Sequence, residues 1–270
     1  MPELPEVETT RCGLAPHLAN RHITQVIVRC ARLRWPIPDH IQQTLPGQPI
    51  LGITRRAKYL LLHTPVGSVL LHLGMSGSLR IVSSETPLRA HDHIDIGLDN
   101  GQCLRFNDPR RFGSVLWQAP GQIHPLLSPL GIEPLDEGFN ADYLYQRSRQ
   151  RNTVVKAFVM DQRIVAGIGN IYAAESLFVA GIHPLRAASQ VTQERYQRLV
   201  NAIKTILISA IAKGGTTLRD FSQPDGTPGY FRQELWVYGR QGRPCFQCGR
   251  KLEHTRTHQR SVVWCRHCQH

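Results

Sequence analysis

The chain has 270 residues, which at about 150 residues per domain is enough for roughly two domains and a sizeable buried core. Its 32 Lys and Arg against 20 Asp and Glu give a formal charge of +12, which favours an anionic partner. A hydrophobic content of 41% spread along the chain excludes a disordered polymer, and no run of about 18 apolar residues is present to cross a bilayer.

In chain order, Pro2 to His17 is compatible with one short helix that Gly13 and Pro16 end. The N-terminus carries acids where a secretion signal has basic residues, so a cytoplasmic location without membrane association is expected. Segments 22–35, 50–63, 68–82, 91–98 and 102–118 are β-branched or apolar runs that read as strands, several of them alternating with polar residues. Pro46-Gly47, Pro65-Val66-Gly67 and Asp99-Asn100-Gly101 punctuate them, the last as a hairpin turn because Asn-Gly tolerates positive φ. An antiparallel sandwich or barrel follows.

Residues 119–138 hold four prolines and three glycines, which disfavour regular structure and place a domain boundary there. Beyond it the period becomes helical. Tyr196, Leu199, Ile203, Ile206, Leu207 and Ala210 share one face, with Ser189 or Thr192 as cap and Gly214-Gly215 as stop. Apolar stretches 153–160 and 170–179 flank a Gly-rich turn, with Asn170 as a helix N-cap. That turn is either a phosphate-binding helix entrance or an ordinary corner. Residues 214–231, rich in Gly, Thr, Ser and Pro, read as a mobile loop.

The last 40 residues contain eight Lys or Arg and two Glu, half of the net charge in about a seventh of the length. Of the seven cysteines, Cys12, Cys30 and Cys103 are scattered, whereas Cys245, Cys248, Cys265 and Cys268 form two Cys-x2-Cys pairs. This spacing fits one tetrahedral, structural zinc ion with no open coordination position. A rival set using His254 and His258 leaves too few residues for a finger helix. The metal would stiffen the basic hairpin 249–264, where Arg256 and Arg260 are placed for phosphate contact. At the other end, removal of Met1 would expose the secondary amine of Pro2. An α-amine is far less protonated at neutral pH than a lysine, and its adduct with a sugar aldehyde is an iminium, an electron sink for eliminating phosphate. Glu3 beside it offers a proton shuttle. His91-Asp92-His93 is read as phosphate-binding rather than metal-binding, with both histidines on one strand face.

PELPEVET at the start, RRAKYLLL at 55–62, HLGMSGSLR at 72–80, DPRRFG at 108–113, GIGNIYAAESLF at 167–178, GGTTLRDF at 214–221, PGYF at 228–231 and the terminal cysteines occur in order from end to end. The chain thereby resembles the bacterial formamidopyrimidine-DNA glycosylase family. The resemblance implies an α+β multidomain fold: an N-terminal antiparallel β-sandwich (1–130), a helix–two-turns–helix DNA-binding domain (131–225) and a four-cysteine zinc finger (226–270). It implies a monomeric repair enzyme acting on double-stranded DNA. The enzyme would excise 8-oxoguanine and formamidopyrimidines and then cleave the abasic site by β,δ-elimination. Pro2 would be the Schiff-base nucleophile and Glu3 the proton donor. Lys58 would serve β-elimination and phosphate contact, and Arg260 δ-elimination. His91, Arg110, Arg151 and Asn170 would contact DNA, with Arg151 standing where some relatives have Lys.

A base must leave the duplex before an amine can reach its C1′. Met75, Arg110 and Phe112 match the family's gap-filling residues, on loops that Gly74, Gly77 and Gly113 make exposed. Arg110, a pure donor, would favour the acceptors of cytosine. Loop 214–225 would close over the flipped base, with Glu6, Tyr172 and Glu175 in support. The alternatives are an endonuclease VIII-like glycosylase for oxidised pyrimidines and a non-catalytic zinc protein that only binds DNA. A third, a basic RNA-binding protein with a zinc ribbon, is disfavoured by the long β and helical segments.

Overall fold

The structure, a computed structural model, describes residues 2–214, 235–257 and 259–270. Within these, the chain forms two compact units, the first of residues up to Ser128 together with Lys213 and Gly214, the second of Pro129–Ala212 and the residues from 235 on.

The first unit opens with helix α1, Leu4–Leu18. Pro5 is tolerated in its first turn, where backbone N–H groups have no helical acceptor, and Glu6 reaches back to accept the Glu3 N–H at 2.8 Å. The helix does not stop at Gly13 or Pro16 as its sequence suggests. Proline removes one donor, but Leu14 and Leu18 are fully buried, and Ala19 N–H still bonds the Ala15 carbonyl at 3.0 Å. Burial of that face outweighs one lost hydrogen bond.

Two antiparallel four-stranded sheets follow, with the short helix α2 (Ile41–Thr44) between the first two strands. One sheet has the order β1 (Ile23–Val28), β6 (Asp92–Leu98), β7 (Gln102–Asn107), β5 (Ser78–Ser83); the other runs β2 (Gly52–Arg56), β3 (Tyr59–Thr64), β4 (Gly67–His72), β8 (Ser114–Gln118). Leu60, Leu62, Val69, Leu71, Ile94, Ile96, Leu104, Phe106 and Val115 fill a common core with α1 residues Val7, Leu14 and Leu18. The sandwich is therefore the observed architecture, and β6–β7 is the hairpin that Asn100-Gly101 announces.

Three apolar runs differ from single strands. Segment 50–63 folds back at Ala57-Lys58, 68–82 breaks at 73–77, and 102–118 breaks at 108–113. Segment 22–35 keeps its strand only to Val28. Apolar periodicity continues across these breaks because the residues on both sides face the same core, so the pattern alone cannot locate the turn.

In the second unit, α3 (Ala141–Ser148), α4 (Val155–Met160), α5 (Asn170–Val179) and α6 (Gln193–Ala212) precede the hairpin β9 (Glu253–Thr257) and β10 (Arg260–Trp264). Helix α6 buries Tyr196, Leu199, Ile203, Leu207 and Ala210. Thr192 Oγ1 accepts the Arg195 N–H at 3.4 Å as its cap, and Gly214 at φ +81° follows its end. A smaller core of Ala174, Phe178, Val237, Leu252, Val263, Cys245 and Cys265 joins α5 to the ribbon. Among the described residues, no helix is long and apolar enough to cross a membrane. The loop 214–225, apart from Gly214, lies outside the described residues.

Candidate active site and nucleic-acid interface

In the first unit, Pro2 and Glu3 are buried at the start of α1. Glu6 is fully buried, and its hydrogen bond to the Glu3 backbone fixes where the Glu3 side chain emerges. Lys58 follows Ala57 in the two-residue turn between β2 and β3, where Arg56 pairs with Tyr59. Ala57 takes φ +53° to make that turn, and Lys58 is only 7% exposed. Near it lies His72, a residue that sequence reasoning passed over. Burial, together with the positive charges of Lys58 and Arg34, pushes its imidazole down to about 4. The neutral ring accepts the Gly74 N–H on Nδ1 at 3.0 Å, which orients the loop carrying Met75.

The loops at 73–77 and 108–113 lie against each other by backbone. A Cβ on Gly74, which has φ +64°, would collide with the backbone of Phe112 and Gly113. Asp108 accepts Ser76 Oγ at 2.9 Å and Gly113 N–H at 2.7 Å. Each loop presents one apolar side chain: Met75 is 38% and Phe112 46% exposed, with the Arg110 guanidinium 5.0 Å from the Phe112 ring centre. Both side chains stand on loops that are fixed against each other.

His91 and His93 do not share a strand face in the expected way. His91 precedes β6 with φ +71° and is exposed, whereas His93 is buried with Nε2 2.9 Å from the Asp108 carbonyl. The register shifts between Asp92 and Ile94, and such a bulge cancels the period-2 argument. The two rings nevertheless remain 6.2 Å apart.

In the second unit, Asn170 is the first residue of α5, and Gly169 is the cap. The expectation that Asn170 caps the helix is therefore corrected: glycine reaches the extended conformation at the cap, and the amide is left for another partner. Asn170 Oδ1 is buried without a hydrogen-bond partner. Asn170 lines a cavity of about 310 Å³ with Arg260, Lys156, Thr257 and Asp161. Lys156 was another omission, although a lone lysine in the apolar run TVVKAFVM was a visible signal. Its Nζ donates to the Ser261 carbonyl at 2.9 Å, beside Arg260. Arg151 is exposed after α3 and near enough to Asp161 to help lower its carboxyl pKa, although Arg163 does most of this.

Sulfurs of Cys245, Cys248, Cys265 and Cys268 all lie within 4.8 Å of one another. Cys248 and Cys265 are 3.5 Å apart, and Cys245 and Cys268 are 4.0 Å apart. Metal–sulfur bonds of about 2.3 Å in a tetrahedron require sulfurs about 3.8 Å apart, so the four thiols fit a metal ion. Arg260 pairs with Thr257 at the far end of the hairpin that this cluster anchors. Glu175 completes the anchoring. Its carboxylate accepts backbone N–H groups of Trp236, Val237 and Tyr238 at 2.7, 3.0 and 2.8 Å, while burial pushes its pKa up against their pull. Tyr172 is wholly buried.

A sandwich that begins on a buried Pro-Glu pair, followed in one chain by a helical unit and a four-thiol ribbon, defines a DNA-repair enzyme of the helix–two-turns–helix class. Residues 1–115 match the formamidopyrimidine-DNA glycosylase N-terminal domain, and residues 130–222 match the H2TH domain of the same enzymes. A formamidopyrimidine-DNA glycosylase from Stenotrophomonas maltophilia (strain K279a) is 66% identical over 269 residues, covering 100% of both chains. The Lactococcus lactis Fpg in complex with Fapy-dG-containing DNA aligns with a TM-score of 0.90 at 30% identity. Its complex with abasic-site DNA gives 0.91 at 31%, covering 99% of each chain. The chain belongs to the formamidopyrimidine-DNA glycosylase family.

Proposed function

We propose that the chain excises oxidised purines, 8-oxoguanine and formamidopyrimidines, from duplex DNA and then cleaves the abasic strand by β,δ-elimination. The observation that carries this reading is the start of α1, where Pro2 is followed by a Glu3 held in place by Glu6. With Met1 removed, the Pro2 amine attacks C1′ of the damaged nucleotide and the bond to the base breaks, Glu3 moving the proton that ring opening and base departure require. The resulting iminium draws electrons from C2′. Loss of a C2′ proton expels the 3′ phosphate, and a second elimination expels the 5′ phosphate.

Lys58 serves the first elimination and a phosphate; Arg260 donates the proton of the second. Met75 and Phe112 refill the stack vacated by the flipped nucleotide, while Arg110 donates to the orphaned cytosine. His91, Arg151 and Asn170 hold backbone phosphates. The four cysteines hold one structural zinc ion, which keeps Arg260 on a stiff hairpin. In this reading the domains are 1–130, 131–225 and 226–270, and the protein works as a cytoplasmic monomer.

The test is borohydride trapping with Met1-processed protein on duplexes carrying 8-oxoguanine opposite cytosine or thymine glycol. A covalent complex on 8-oxoguanine that disappears in Pro2→Gly is the expected result. Trapping mainly on thymine glycol would assign the enzyme to oxidised pyrimidines, and tight binding without trapping on either would make it a recognition protein.

A further inference from the structure

Beside the wedge, and entirely within the first unit, lies a second cavity of about 420 Å³ that the reaction above does not use. Arg80, Arg89, Arg110, Asn107, Ser76 and Ser78 supply its polar lining, and no carboxylate lines it. Behind the lining, Asp92 accepts Arg80 Nη2 at 2.7 Å, and Asp95 is shared by Arg29 at 2.6 Å and Arg105 at 2.8 Å. Asp108, behind Ser76, is the third acid. Five guanidiniums thus face three carboxylates in this cluster, and the surplus positive charge lies at the cavity.

The cavity wall is built before any ligand arrives. Asn107 Nδ2 donates to both the Ala90 carbonyl and Asp92 Oδ1 at 2.8 Å, and Asp92 Oδ2 accepts the Arg89 N–H at 2.8 Å. Arg80 is 4% exposed, with one Nη2 committed to Asp92. The Arg89 side chain has no ion pair among the described residues and is exposed. Arg80, held by Asp92 with donors to spare, together with the exposed guanidiniums of Arg89 and Arg110 and the Ser78 hydroxyl, suits a tetrahedral oxyanion.

We propose that this cavity binds a backbone phosphate of the DNA strand that Arg110 meets. The site rests on the reading of the chain as a DNA enzyme and adds a contact that holds the orphaned strand while the wedge occupies the gap. Arg110 lines both, so the phosphate and the base it probes are read from one loop. The phosphodiester is favoured over a free anion because the cavity continues into the exposed wedge at Arg110 and the chain carries +12 overall.

The experiment measures binding of an abasic-analogue duplex across a salt series for the wild type and Arg89→Gln. The variant leaves the buried Arg80–Asp92 pair intact. Each neutralised phosphate contributes about 0.9 to the slope of log affinity against log salt, so Arg89→Gln should flatten it by about that amount. A methylphosphonate at one position of the undamaged strand should flatten the wild type equally and leave Arg89→Gln unaffected. An unchanged slope in Arg89→Gln, with wild-type binding intact, overturns the proposal while sparing the glycosylase reading. Wild-type failure to bind or trap lesion DNA instead removes that reading, and the DNA-phosphate assignment with it. In a parallel titration with inorganic phosphate, binding lost in Arg89→Gln while the DNA slope stays unchanged would assign the cavity to a free anion and refute the DNA contact.

Discussion

Asp95 is shared by two guanidiniums, so a single change of charge there disturbs both. Its carboxylate accepts Arg29 Nη2 at 2.6 Å and Arg105 through Nε and Nη2 at 2.8 and 2.9 Å, and Arg105 is 1% exposed. Asp95→Asn keeps the shape and one acceptor oxygen but removes the charge facing two guanidiniums, one of them with no access to water. Breaking a buried pair from one side costs about 3–5 kcal/mol, roughly a fifth or more of a typical stability of about 5–15 kcal/mol. The assay is urea unfolding in a Trp236→Phe/Trp264→Phe background, where Trp35 and Trp117 report on the sandwich. Adding Arg105→Met should recover part of the loss, because the buried cation then left with only the Asp92 carboxylate, at 3.8 Å, is gone. pH supplies a second reading. Burial pushes the Asp95 carboxyl up, but Arg29 and Arg105 outweigh it and hold it below its ordinary value. A folded pKa below the unfolded one, about 3.9, gives stability that is complete above pH 4 and lost as pH falls through the folded value. Acid unfolding should therefore be shallower in Asp95→Asn. A loss under about 1 kcal/mol, or a double variant as unstable as the summed singles, would refute this account.

Removing the metal with a chelator, or making Cys265→Ser, should disorder the hairpin 253–264 and abolish lesion binding while the sandwich stays folded; amide exchange limited to the ribbon would confirm it. His72 should titrate near 4 by NMR, and Lys58→Met should raise that value. Between pH 6.5 and 4 the unfolded chain takes a proton that folded His72 refuses, so stability should fall by ~1.4 kcal/mol per pH unit there; a ring that titrates at 6.5 contradicts this. Met75→Ala/Phe112→Ala should slow excision at least about tenfold, the kinetic equivalent of ~1.4 kcal/mol of lost wedge. A 2-aminopurine signal for flipping should fall with it, and normal flipping would rule the wedge out. Gln259→Gly relieves a left-handed residue at φ +61° beside Arg260. It should stabilise the ribbon by up to about 1 kcal/mol and reduce δ- relative to β-elimination product, whereas an unchanged product ratio would mean that Arg260 needs no such fixing.

Much of this was legible in the sequence because the signals were local. Two Cys-x2-Cys turns bring four thiols together whatever the rest does, and Asn100-Gly101 makes its hairpin. Turns inside long apolar runs were not legible. Lys58, Met75, Arg110 and Phe112 lie in breaks that composition hides, and family motifs, not periodicity, singled them out. The Asp95–Arg105 pair was invisible because its partners are ten residues apart on neighbouring strands, and a charged residue inside an apolar strand reads as surface. Asn170 was placed one position too early in the helix because the rule that ranks asparagine as a cap does not know that a glycine precedes it.

Backbone geometry gives a physical reason for reading the chemistry in those breaks and not in the strands. Among the described residues, five non-glycine positions have positive φ: Asn20, Ala57, His91, Arg111 and Gln259. Four of them touch the proposed machinery in sequence. Ala57 precedes Lys58, His91 is itself a proposed DNA contact, Arg111 separates Arg110 from Phe112, and Gln259 precedes Arg260. Left-handed backbone outside glycine costs about 1–2 kcal/mol per residue and persists only where the surroundings over-determine it. Here the surroundings are identifiable: the Arg56–Tyr59 pairing closes one turn, Asp108 ties together the two wedge loops, and four thiols anchor the hairpin that ends at Arg260. A side chain on an unstrained loop would sample many directions, whereas one beside a forced left-handed residue leaves the backbone in a single direction. The rigid sheets and the four-thiol ribbon supply the stability that these four positions draw down, and in the proposed reading that is how the scaffold holds cationic and apolar tips ready for a nucleotide out of its stack.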